Sequence, residues 1–82
     1  MLLADTIKVD ASLDCLGLYC PQPLLQTREK LDELEAGQTL ELFSDDPASE
    51  EDIKRFVKRI GHELIQFDKQ GEVNYFIIKK KV

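Results

Sequence analysis

The hydrophobic period of this chain changes between Leu13 and Leu25, and that change constrains the fold more than any other feature. Before it, Ile7, Val9, Ala11 and Leu13 alternate with Lys8, Asp10, Ser12 and Asp14. A period of two marks a strand with one buried face. After it, Leu24, Thr27, Leu31 and Leu34 recur at helical spacing and predict the inner stripe of a helix from about Pro21 to Glu35. The connection carries Asp14 and Gly17, the glycine being free to take a positive φ. The helix then opens on Cys20-Pro21-Gln22-Pro23. Strand, turn and helix in this order present one reactive atom, the Cys20 sulfur, on a rigid base.

The remaining elements follow from the same signals. Gly37 is expected to cap the first helix. Thr39 to Ser44 reads as a second strand, with Leu40 and Leu42 on one face and Phe43 on the other. Asp45-Asp46-Pro47 breaks the pattern, and Ser49 is expected to be the N-cap of a second helix, with Glu50, Glu51 and Asp52 at its positive end. Ile53, Phe56, Val57 and Ile60 give the strongest helical spacing in the chain, and Gly61 stops it. Leu64 to Phe67 and Val73 to Lys80 predict two more strands around a Lys69–Glu72 hairpin loop. The last strand reads Tyr75-Phe76-Ile77-Ile78, apolar on both faces, so alternation alone does not say which pair points inward.

The order β-α-β-α-β-β restricts the topology. Both β-α-β crossovers should be right-handed, and the fourth strand must return antiparallel to the third through a short hairpin. An α+β fold satisfies this: a two-layer α/β sandwich with a four-stranded mixed sheet in the order 1-2-4-3 and two helices on one face. The second sheet face stays partly open, with Phe43, Tyr75 and Ile77 as candidates for it.

At 82 residues the chain makes a single domain, 1–82, with residues 1–6 expected to be a flexible N-terminus. Eleven basic against 16 acidic residues give a net charge of −5, which argues against tight direct binding to nucleic acid, since that needs Lys and Arg on phosphates. No apolar run approaches a membrane span, and Met1–Asp5 is too short and wrongly charged for a signal peptide. A cytoplasmic monomer is expected, and in a reducing compartment Cys15 and Cys20 are read as free thiols rather than a structural disulfide.

Cys20 at the start of a helix meets free backbone N–H groups and the positive end of the dipole, which favour an anion. A thiolate is the reactive form of cysteine, and such an environment lowers its pKa. Pro21 and Pro23 are tolerated in the first turn and leave Gln22 and Leu24 as nearby N–H donors. Cys15 continues the inward alternation of the first strand and reads as a small core residue rather than a resolving thiol. Two thiols without a companion Cys or well-spaced His do not complete a tetrahedral metal set, so no metal and no cofactor are expected. Asp14 is expected to bond the turn backbone, and Asp45 and Asp46 to close the turn into the second helix. His62 is not placed near Cys20 by anything in the sequence, and Lys79-Lys80-Lys81 reads as a solvated strand end.

The pattern Leu13-Asp14-x-x-Gly17-Leu18-x-Cys20-Pro21-x-Pro23-Leu24-Leu25 resembles the signature of the TusA/SirA-like family of small sulfur-carrier proteins. Asp45-Asp46-Pro47-Ala48, Asp52-Ile53 with Arg55-Phe56, and Gly61-His62-Glu63-Leu64 resemble it too, in the expected order. The resemblance implies a two-layer sandwich similar to the C-terminal domain of translation initiation factor three. It implies that Cys20 carries a persulfide sulfur, supported by Asp14, Gly17, Pro21, Gln22 and Pro23. The sulfur would come from a cysteine desulfurase or a rhodanese-like donor and pass to an acceptor protein, in tRNA thiolation, cofactor synthesis or sulfur oxidation. Arg28, Asp45, Asp46 and Phe56 are the candidate partner-docking residues. Family members are often basic just before the cysteine, where this chain has Tyr19, so the helix end carries more of the activation.

Three classes of function are weighed. The first is a carrier-like sulfurtransferase using Cys20. The second is a thiol redox protein using Cys15 and Cys20, against which the four-residue separation counts, since redox pairs are Cys-x-x-Cys. The third is a non-enzymatic regulatory or RNA-contacting module, against which the acidic charge counts.

Overall fold

The structure, a computed structural model, describes residues 9–18 and 22–81. The expectations for residues 1–6, for Ile7 in the first strand, and for Tyr19, Cys20 and Pro21 lie outside the described residues. Those described form β1 (Ala11–Cys15), α1 (Gln22–Glu33), β2 (Thr39–Ser44), α2 (Ser49–Arg59), β3 (Glu63–Gln70) and β4 (Val73–Lys79). The sheet order is β1-β2-β4-β3. β1 runs parallel to β2, and β4 is antiparallel to both of its neighbours. This is the expected mixed sheet.

The helices share one face because one cluster holds their stripes and every second sheet residue. Leu31 of α1 and Ile53 and Val57 of α2 pack with Cys15, Leu40, Leu42, Phe76 and Ile78. The register resolves the ambiguity of β4: Leu40 faces Ile78, Leu42 faces Phe76 and Ser44 faces Asn74 on the helix side. Tyr75 and Ile77 therefore point to the other face, opposite Phe43 and Glu41.

β3 is longer than expected because a bulge interrupts its alternation. Leu64 pairs with Ile78 and Gln66 with Ile77, so Ile65 is the extra residue, and it is exposed. The bulge lets Leu64 and Phe67, three apart, both pack on the core. The hairpin loop shortens to Gly71-Glu72, since Gln70 pairs with Val73. Gly71 takes φ +61 while, among the described residues, no other residue type has positive φ, as a type II′ turn requires.

Helix ends also depart from expectation. α1 stops at Glu33, and Gly37 is not its cap. Gly37, at φ +94, occupies the third position of a turn closed by Gln38 N–H donating to Glu35 C=O at 3.0 Å, the place where a type II turn needs glycine. The end of α1 is held by Lys80, whose Nζ donates to Leu31 C=O at 2.7 Å and Leu34 C=O at 2.6 Å. Lys80 is thus a helix-capping cation and not part of a solvated tail. A cation on the carbonyl end of a helix opposes the dipole and satisfies orphan acceptors. Lys80→Met should lower unfolding stability by about 1–2 kcal/mol, read as a lower urea midpoint at unchanged slope.

Ser49 is likewise not the N-cap of α2. Ala48 holds that position without a side-chain cap bond. Asp46 replaces the cap: its Oδ1 accepts from Ala48 N–H at 3.0 Å and its C=O from Ser49 N–H at 2.9 Å. Ser49 turns inward instead and accepts from Asn74 Nδ2 at 2.9 Å. The C-terminus of α2 matches expectation. His62 N–H bonds Val57 C=O and Gly61 N–H bonds Lys58 C=O, with Gly61 at φ +84, which is the Schellman arrangement.

The open face carries the Phe43–Tyr75 ring pair, 5.0 Å between centroids. Tyr75 donates its hydroxyl to Glu41 Oε1 at 2.8 Å. Burial first, and then the bond to Glu41 and its charge, push the phenol up to about 12. Because the folded value lies above the ordinary one, this contribution to stability is complete below pH 10 and is lost as pH rises through about 12. Phenolate absorbance should report it, and Glu41→Gln should bring the Tyr75 titration down toward the ordinary value.

Candidate functional site

The turn after β1 is built from three successive backbone donors, each with its own acceptor. Asp14 Oδ1 accepts from Leu16 N–H at 2.9 Å, Asp45 Oδ1 from Gly17 N–H at 2.9 Å, and Cys15 C=O from Leu18 N–H at 3.1 Å. Gly17 sits at φ +83. A Cβ there would meet nothing within 4 Å, so the glycine is required by the backbone angle and not by space. Asp14 therefore bonds the turn, as its position before a glycine suggested.

Beyond the undescribed residues the chain re-enters as α1 at Gln22. Pro23 is buried, and its C=O accepts from Thr27 Oγ1 at 2.6 Å. Thr27 is itself wholly buried. Both approaches to Cys20 are thus anchored, one by turn hydrogen bonds and the other by packing. The first turn of α1 contains no acidic side chain, whereas that of α2 holds Glu50, Glu51 and Asp52. The positive end of α1 is not neutralised by the helix's own carboxylates.

The neighbouring thiol is of a different kind. Cys15 is fully buried in the core cluster. Burial first, and the Asp14 carboxylate second, push its thiol up. A buried thiol held protonated is a poor nucleophile, so Cys15 is a packing residue.

His62 lies at the other end of the sheet. The turn follows Cys15, whose row runs through Ser44 to Asn74 at the start of β4. His62 precedes Glu63, which pairs with Lys79 at the end of β4. That is roughly 17 Å of strand away at ~3.4 Å per residue. Its Nδ1 accepts from Lys81 N–H at 3.2 Å, and burial, then Lys80, lower its pKa against an opposing pull from Asp32.

The docking candidates differ in exposure. Arg28 is exposed on α1. Phe56 is half-buried in a groove with Leu24, Asp52, Arg55 and Arg59, between the two helices. Asp46 is 7% exposed, and its Oδ1 takes part in closing the turn into α2. Asp45 is half-buried and bonded to Gly17. Sequence reasoning missed that bond, which joins residues 28 apart. It also missed the buried chain in which Asn74 donates to Ser49 Oγ and, at 3.3 Å, to Asp46 C=O. One signal existed for it: Asn74 is a polar residue in phase with Phe76 and Ile78.

Comparison with known proteins bears on the family and the fold. The family model described as "Sulfurtransferase TusA" matches residues 11–80. The sulfur carrier protein TusA of Pseudomonas syringae pv. syringae is 38% identical over 93% of this chain and 92% of its own length. The sulfur carrier protein TusA of Allochromatium vinosum is 38% identical over 87% of this chain and 93% of its own. The crystal structure of a SirA-like protein from Desulfitobacterium hafniense superposes with a TM-score of 0.77, covering 89% of this chain and all of that one. At 24% identity that likeness speaks to the fold.

Proposed function

Since the chain belongs to the TusA sulfurtransferase family, we propose that it is a sulfur carrier that accepts a persulfide sulfur on Cys20 and passes it to an acceptor protein. The observation that carries this reading is the described frame on either side of Cys20: a hydrogen-bonded glycine turn before it and an acid-free helix N-terminus after it. Such a frame suits a sulfur anion, or an anion one sulfur longer, with backbone N–H groups of the first turn as donors.

The chemistry needs no general base once the thiolate is formed. The Cys20 thiolate attacks the outer sulfur of a donor protein's persulfide. The donor's S–S bond breaks, its own thiolate leaves, and Cys20 becomes the persulfide. The acceptor thiolate then attacks that outer sulfur and Cys20 thiolate leaves. One sulfur moves in each step, with no net oxidation. A lowered pKa raises the thiolate fraction and improves the leaving group. The remote position of His62 agrees with a site that uses no imidazole.

A cysteine desulfurase or a rhodanese-like protein is the proposed donor. Arg28 and the groove around Phe56 are the proposed docking surface, with Arg55 and Arg59 suited to an acidic partner. The redox alternative is disfavoured by the burial of Cys15. Mixing the protein with a persulfidated desulfurase should add the mass of one sulfur atom, removable by thiol reductant. An unchanged mass with desulfurase and rhodanese donors alike would refute the carrier reading.

A further inference from the structure

We infer that Asp45 is a positioning residue for Cys20. Its carboxylate holds the Gly17 N–H and so ties the turn that leads into the reactive cysteine to the rest of the fold. The inference rests on the carrier reading above for what Cys20 does, but the tie itself is a feature of the fold.

Three N–H groups define the turn, and two of their acceptors are local. Asp14 and Cys15 belong to the same strand end and would move with it. Asp45 belongs to the β2–α2 connection, 28 residues on. It follows Ser44, which pairs with Cys15 at the last rung of the parallel ladder. The next residue, Asp46, is buried and bonded through its C=O to both Ser49 N–H and Asn74 Nδ2. Asp45 therefore projects from a fixed base onto a turn whose glycine angle other residues would not readily adopt. The donor it holds lies three residues before Cys20. An N–H bonded to a carboxylate is a charge-assisted bond with a directional requirement. It fixes where the chain leaves the turn at Leu18, two residues before the cysteine.

Asp45 as a docking charge would leave both measurements unchanged in either variant, since no partner is present, which separates the two roles. Asn retains an Oδ1 acceptor and loses the charge; Ala loses both. In a Cys15→Ala background, two quantities are measured on folded protein: exchange of the Gly17 amide by NMR, and the Cys20 alkylation rate against pH. Asp45→Ala should speed Gly17 exchange roughly tenfold, the factor that one net hydrogen bond supplies, and should move the alkylation profile toward that of a free thiol. Asp45→Asn should stay close to the parent on both. An unmoved alkylation profile in Asp45→Ala overturns the inference. So does an Asn variant as impaired as the Ala variant. Neither measurement uses a sulfur donor, so failure of the parent protein to load would count against the carrier reading alone.

Discussion

Cys20→Ser should abolish sulfur loading, whereas Cys15→Ala should leave it intact. The first expectation follows from the leaving-group and nucleophile chemistry of the relay: a serine hydroxyl is not ionised at neutral pH and cannot form or release a persulfide. The second follows from the structure. Cys15 is wholly enclosed among Leu31, Leu42, Phe76 and their neighbours, and burial holds its thiol protonated. Alanine is the better control there, because serine would bury a hydroxyl in an apolar cluster at a cost of about 1–3 kcal/mol. Intact-protein mass after incubation with a persulfidated donor, with and without reductant, reads both variants. Loading that persists in Cys20→Ser, or disappears in a folded Cys15→Ala, would move the site to Cys15 and revive the redox reading. Mild oxidation should also fail to yield a stable Cys15–Cys20 disulfide, since disulfide geometry tolerates little error and the Cys15 side chain faces the core.

Phe76→Ala should be the most damaging core substitution. Phe76 is fully buried on β4, an inner strand of the sheet. It pairs with Leu42 on one side and Phe67 on the other, the two rings lying 5.2 Å apart and tilted by 45°. Truncating a buried Phe typically costs about 3–5 kcal/mol, part lost transfer energy and part cavity. A domain of 82 residues holds roughly 4–12 kcal/mol in total, at about 0.05–0.15 kcal/mol per residue. The variant should lose a large share of its stability, seen as a urea midpoint far below wild type. Leu25→Ala, at a side chain 53% exposed, should shift stability by no more than about 0.5 kcal/mol. Equal midpoints for the two variants would mean that the core is not centred on the helix-facing side of β4.

What sequence alone determined is whatever depends on neighbours in the chain. The alternation of Ile7, Val9, Ala11 and Leu13, of which the described strand keeps Ala11–Cys15 and leaves out Val9 and Asp10, and the Ile53, Phe56, Val57, Ile60 stripe each declared an element and its inner face. The element order, with a short hairpin last, left one natural sheet order. The Cys20-Pro21-x-Pro23 opening singled out the sulfur proposed to react, and Cys15 fell in phase with the buried face. Tertiary structure decided what depends on residues far apart. Which face of Tyr75-Phe76-Ile77-Ile78 is buried was set by pairing with Leu40 and Leu42, because a strand apolar on both sides carries no phase of its own. The bulge at Ile65 erased the alternation that would have extended β3. Lys80 became the cap of a helix ending 47 residues earlier, and Ser49 gave up its capping role because Asp46 and Asn74 offered its backbone and hydroxyl other partners. The Asp45–Gly17 bond is of the same kind. A hydrogen bond of a few ångströms depends on where the fold brings two loops, and hydrophobic periodicity records only which side of an element is buried.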